Sequence, residues 1–144
     1  MSDSLPVVLR LRKQSVDLAQ QDLARATAAE TDASALVRLA ETIIGDEQEA
    51  ACALDASDGA VEAFARWLPG ARQRAHSARS MLESTQAEVG RMRALLTAAR
   101  QALETVEALS EHRQTEREAD VARRTQREME DSCRVRDRPN EAWP

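Results

Sequence analysis

The feature that most constrains this chain is a stripe of small and apolar residues between positions 61 and 106. Its members are Val61, Phe64, Leu68, Ala71, Ala75, Ala78, Leu82, Thr85, Val89, Met92, Leu96, Ala99, Leu103 and Val106. They recur in an unbroken alternation of four and three. That spacing is the a/d seam of a coiled coil, held for more than six heptads with Thr85 as its one polar member. A helix carrying such a stripe must lay it against another helix, so a partner has to be found.

The first third of the chain offers one. The opening MSDSLP reads as a helix start, with Asp3 or Ser4 able to cap and Pro6 falling in the first turn. A second seam follows: Leu9, Arg12, Val16, Ala19, Leu23, Ala26, Glu30, Ala33, Val37, Ala40, Ile44, Glu47, Ala51 and Leu54. It is weaker, with three charged members, and Leu36, Leu39 and Ile43 widen its stripe where it is strongest. Gly45 costs about 1 kcal/mol in a helix interior, which a helix this long tolerates. The first helix is expected over about 5–54.

The segment DASDG at 55–59 is the expected turn, with Ser57 or Asp58 opening the next helix. Two long helices joined so briefly must be antiparallel neighbours. Folding about residue 57 pairs position i with 114 − i, placing Leu5 opposite Leu109 and Leu9 opposite Thr105. The second seam turns polar at Ser110, Arg113 and Arg117, where the first helix runs out. A hairpin about 50 residues long, roughly 75 Å, follows. Pro69 interrupts the hydrogen bonding of the second helix. Either that helix kinks there, or 59–67 is a short separate helix; the unbroken seam phase favours a kink.

Beyond Ser110, EHRQTEREADVARRTQREMEDS is helix-favouring and highly charged, with Glu and Arg spaced for i,i+4 pairs. Val121 and Met129 are its apolar exceptions. The second helix, about 60–131, should therefore overhang the hairpin by about 20 residues, roughly 30 Å. The segment 134–144 reads as a frayed tail. The fold class is all-α: one domain, a long antiparallel two-helix coiled-coil hairpin with helix 2 overhanging helix 1.

Composition fits a rod better than a globule, with 31% charged residues and only 2% aromatic. The net charge is −5, divided as −6 over residues 1–60 (five basic, eleven acidic) and +1 over the rest. No concentrated basic face for nucleic acid results. Cys52 and Cys133 lack CxxC spacing and, with no apolar leader segment, point to a reducing, cytoplasmic setting. No apolar run approaches the ~20 residues of a membrane span.

A search for chemistry returns little. His76 and His112 lie far apart without ligand partners, and a zinc site needs three or four converging ligands. Phosphate-binding glycine loops are absent, and a two-helix rod offers no concave pocket of enzymatic size. The expectation is a non-enzymatic protein without metal or cofactor. Both seams are rich in Ala, which buries far less than the 1.5–3 kcal/mol of a Leu-sized side chain, so the rod should be slender and marginal. Phe64 sits on the seam. Trp67 stands beside it near the turn, where it can either anchor a partner or cap the hairpin end.

Several features occur together: a length near 145, the SLPVVLRLRKQSVDLAQQDLARA segment, a turn just before mid-chain, the FARWLPGARQRAHSARSMLES start of helix 2, and the EALSEHRQTEREADVARRTQREMEDS extension. In this combination the chain resembles the flagellar export protein FliJ family and its type III secretion relatives. More specific is the order of the aromatic start, then Leu103, Leu109 and Glu111, then an Arg/Glu-rich end carrying Gln126, Glu128 and Met129. The resemblance covers nearly the whole chain.

It implies a cytoplasmic coiled coil similar to the central stalk of rotary ATPases, with no cofactor. The partners it implies are the hexameric export ATPase ring, the cytoplasmic platform of the export gate, and export chaperones, which keep the protein peripheral to the membrane. The ring-inserting end would be the N-terminal turn and about 110–131, with Arg113, Arg117, Val121 and Arg124 as contacts. The family's gate-docking pattern, aromatic-x3-Leu-x2-Ala, is matched by Phe64, Leu68 and Ala71; a gapless alignment puts Trp67 and Ala71 there instead. Related sequences often carry tyrosines on helix 1, and this chain has none. The competing expectation is a structural spacer or tether without an ATPase partner.

Overall fold

The computed structural model describes residues 4–136. They form two helices, α1 (Leu5–Ala51, 47 residues) and α2 (Asp58–Arg136, 79 residues), packed against each other. At about 1.5 Å per residue these are rods of roughly 70 Å and 120 Å. No strand occurs among the described residues. Asp3 and the tail beyond residue 136 lie outside them, but residues 132–136, expected to end or follow the helix, continue it.

The helix ends follow local chemistry. Ser4 occupies the N-cap position of α1 without a side-chain cap bond, and Pro6 falls in the first turn as expected. The helix stops at Ala51, three residues before the expected end, and the chain turns through 52–57. Ser57 starts α2: its hydroxyl accepts a hydrogen bond from the Ala60 N–H (3.3 Å), and its carbonyl accepts from Ala60 and Val61 (2.9 and 3.3 Å). Within the helices Ser15, Thr27, Thr31 and Thr97 donate to carbonyls four residues back, so these polar side chains are satisfied without breaking the helix.

Helix α2 runs unbroken through Pro69, which excludes a separate short helix over 59–67. Pro69 is exposed on the outer surface. Its ring removes one backbone bond but meets nothing across the seam.

The two seams supply the entire core. The buried apolar residues are Val16, Ala26, Ala33, Val37 and Ala51 on α1 and Ala71, Ala75, Val89 and Leu96 on α2, and every one is a seam member. Five of the nine are alanine, so the helices approach closely but bury little. Thr85 donates its hydroxyl to the Leu82 carbonyl at 2.9 Å, which lets the one polar member of the α2 seam sit half-buried. On α1 the charged seam members divide: Glu30 is half-buried, whereas Arg12 and Glu47 are exposed. At the turn end Val61 and Leu54 also leave the seam, being 51% and 109% exposed.

The register is close to a fold about residue 57: Ala51 shares a cavity wall with Ala60, Ala63 and Phe64, and Ile44 borders Ala71 and Ala75, so the seams pair i with about 115 − i. The ion pairs that cross the hairpin join Lys13 to Glu107 (4.0 Å) and Glu41 to Arg79 (2.6 Å). Each joins residues a little over one turn off that level, as long side chains leaning toward the N-terminus of their own helix do in an antiparallel pair. The six-residue connection closes over the end of α1, and seam contact begins at Phe64. At the open end Leu5 is consequently level with about residue 110.

Candidate interaction surfaces

With a and d as the seam positions, e and g are the positions on either side of it. In an antiparallel pair one flank of the rod is lined by e residues of both helices and the other by g residues of both. The two flanks of this hairpin are chemically opposite. Lys13, Glu41, Arg79 and Glu107, which form ion pairs across the hairpin, are all e residues. On that side Arg72 and Arg79 stand over Glu41 and Ile44 around a groove of about 360 Å³.

The g flank is mostly apolar, with Asp22, Arg74 and Glu88 as its charged members. Leu36 and Ile43 on α1 and Trp67, Met81, Leu95 and Leu109 on α2 all occupy g positions. Leu11, Leu18 and Leu39 hold the adjoining c positions on α1. A groove of about 320 Å³ runs between the helices here, with Leu36, Ile43 and Trp67 among its walls. Leu36, Leu39 and Ile43, expected to widen the seam, do not join it: they remain 50%, 56% and 43% exposed. Of the exposed large apolar side chains between Leu11 and Ile43 and between Met81 and Leu109, every one lies on this flank.

The residues expected at an export gate gather at the turn end, in two different settings. Phe64 and Trp67 are half-buried and touch, with ring centroids 5.8 Å apart at 36°, an aromatic contact that stiffens both. They border a shallow cavity of about 430 Å³ otherwise lined by Glu47 and by Ala50, Ala51, Ala60 and Ala63. Leu68 is half-buried in the seam. Ala71 is 4% exposed and packs against α1, so its side chain serves the hairpin interface.

The residues expected at an ATPase ring lie at the other end. Every residue with a described side chain after Ser110 is exposed, including Arg113, Arg117, Val121 and Arg124. With the observed register Arg113 sits beside the first turns of α1, where Leu9 and Lys13 still border Glu111 and Thr115. Arg117, Val121 and Arg124 stand beyond the end of α1. Local pairs support this stretch: Gln114 donates to Glu118 and Gln126 to Glu130 (both 3.1 Å), and Arg123 donates to Asp120 (2.6 Å).

Among the described residues no group of three or more His, Cys, Asp or Glu side chains could hold a metal ion. Cys52 and Cys133 are free and exposed, and no helix is long and apolar enough to cross a membrane. The flank asymmetry was present in the sequence as the difference between the residue before each a position and the residue after each d position. Comparison with protein families, with curated proteins and with solved structures finds no match to this chain.

Proposed function

We propose that the chain is a stalk-like, non-enzymatic component of a flagellar type III export apparatus. It binds the export ATPase ring through its open end and links the ring to the export gate and to export chaperones. One observation carries this reading: a hairpin whose longer helix continues about 25 residues past its partner, about 40 Å at helical rise, its described side chains exposed and rich in charge. A central stalk needs such a form, narrow enough to enter a ring and rigid enough to transmit position. The family resemblance supplies the identity of the ring.

In this reading the two ends divide the work. Arg117, Val121 and Arg124, beyond α1, meet the ATPase ring. Phe64 and Trp67, paired at the turn end, meet the gate, with Leu68 and Ala71 holding the hairpin beneath them. The work is done at the cytoplasmic face of the membrane, held there by partners.

The test is reconstitution. Purified chain is mixed with the flagellar export ATPase, and complex formation, hexamer assembly and ATP hydrolysis are followed. The expected outcome is a stable complex with assembly and hydrolysis stimulated. Absence of a complex with both rates unchanged rejects the stalk reading and leaves the hairpin as a spacer.

A further inference from the structure

We propose that two copies of this chain pair face to face through the apolar flank, closing a four-helix bundle around it. The inference is independent of the stalk reading and rests on three observations.

The first is pattern. A two-stranded coiled coil needs apolar residues at two positions in seven, whereas helices facing a bundle core carry them at a, d and one flanking position. Here the extra position is g on both helices, with Leu36, Ile43, Met81, Leu95 and Leu109 extending the a/d seam sideways. The e side carries the ion pairs from helix to helix, Lys13–Glu107 and Glu41–Arg79, whereas the g side carries pairs within one helix, Asp22–Arg25 and Glu88–Arg91. The apolar flank is thus continuous with the interface that already holds the hairpin together, and a further pair of helices is what it fits.

The second is area. Eight large side chains on the flank are each 43–57% exposed. Covering them on both copies is on the scale of the ~800 Å² per partner of a stable interface.

The third is symmetry, which favours a second copy over an unrelated helix. The α1 part of the flank has an apolar cluster at each end, separated by Asp22, Arg25 and Asp32. The clusters are mirrored about residue 27: Leu18 and Leu36 lie nine positions either side of it, Leu11 and Ile43 sixteen. A two-fold axis crossing the rod there lays Leu18 on Leu36 and Leu11 on Ile43 of the other copy. This is the self-complementarity an isologous dimer requires. The overhangs then project from opposite ends, clear of the bundle.

Light scattering of the full chain at high micromolar concentration is expected to give twice the 15.9 kDa chain mass. The double substitution Leu36→Glu/Ile43→Glu, at exposed positions, should return the mass to that of one chain with helicity retained. Ala87→Glu/Ala94→Glu, exposed on the outer face of α2, should leave the doubled mass. If the flank variant fails to fold, Ala29→Cys with Cys52→Ser and Cys133→Ser keeps the question open to test, because Ala29 lies on the flank beside the axis. A short bifunctional thiol reagent should then join two copies. A single-chain mass for the native protein at every concentration, a doubled mass in the folded flank variant, or no cross-link at Ala29 in a doubled species overturns the proposal. A monomer that instead captures a partner's helix on this flank also overturns it.

Discussion

Helix α2 is one continuous helix in two physical situations. Between Phe64 and Val106 its seam faces α1, and each seam residue is buried or half-buried; after Ser110 every described side chain is exposed. Helix propensity does not distinguish the two parts, since the first is built mainly from Ala, Leu and Arg and the second from Arg, Glu and Gln, all good helix formers. The difference is in what each residue's neighbour three or four positions away is. In the first part it is another apolar residue, and burial holds the helix; in the second it is a charge, and local pairs hold it. A long helix can therefore be built from a half that needs a partner and a half that needs only water.

The largest test of that division is truncation. Ending the chain after Thr115 removes the stretch beyond α1 and leaves the paired region intact. The hairpin should unfold at an unchanged thermal midpoint by circular dichroism, while association with the export ATPase is lost altogether. Retained ATPase binding would move the contact to the hairpin, and a collapsed midpoint would show that the overhang stabilises the rod.

Next in size are paired truncations of single side chains. Leu96 is 7% exposed in the seam, and Leu96→Ala should cost about 2–5 kcal/mol in urea unfolding. Val121, 62% exposed in the overhang, should change stability by less than about 0.5 kcal/mol on substitution by Ala. Equal effects at the two sites would mean that the overhang is packed in solution against something the hairpin alone does not supply.

How these regions were legible in the sequence follows from what each signal depends on. The seams were fully readable, because a 4/3 alternation forces one helix face inward whatever the details. Ser57 was readable as a cap for the same local reason. The register was readable too, because the short DASDG segment sets where the chain reverses; the end of α1 was not, since Cys52, Ala53 and Leu54 join the connection. Leu36, Leu39 and Ile43 announced an apolar surface, but their exposure depends on α2 presenting Trp67 and Arg74 there, which only the pairing reveals. At the turn end, proximity of Phe64 and Trp67 was visible as helical spacing. The burial of Ala71 beneath them required the partner helix.

A smaller effect sharpens the distinction from the opposite direction. Gly45 and Gly90 lie in helix interiors of the paired region, and a Cβ at either would meet nothing within 4 Å. Neither has the positive φ that would require glycine. Gly45→Ala and Gly90→Ala should each stabilise the hairpin by about 1 kcal/mol, read as a raised denaturation midpoint. A destabilising result at either position would reveal a surface that is covered in solution.

The smallest expected effect bears on the two flanks. Arg79 donates from both Nε (3.2 Å) and a terminal nitrogen (2.6 Å) to one Glu41 oxygen, but its side chain is 58% exposed and that of Glu41 47%. Solvent screening at such exposure limits the pair to about 0.2–1 kcal/mol. A double-mutant cycle of Glu41→Gln and Arg79→Gln should return a coupling in that range, reduced further by salt. Self-association through the apolar flank leaves the charged flank in water, so the coupling should be the same at low and high protein concentration. A coupling well above 1 kcal/mol that appears only as the protein self-associates would place the second copy on the charged side. The apolar flank would then need another explanation.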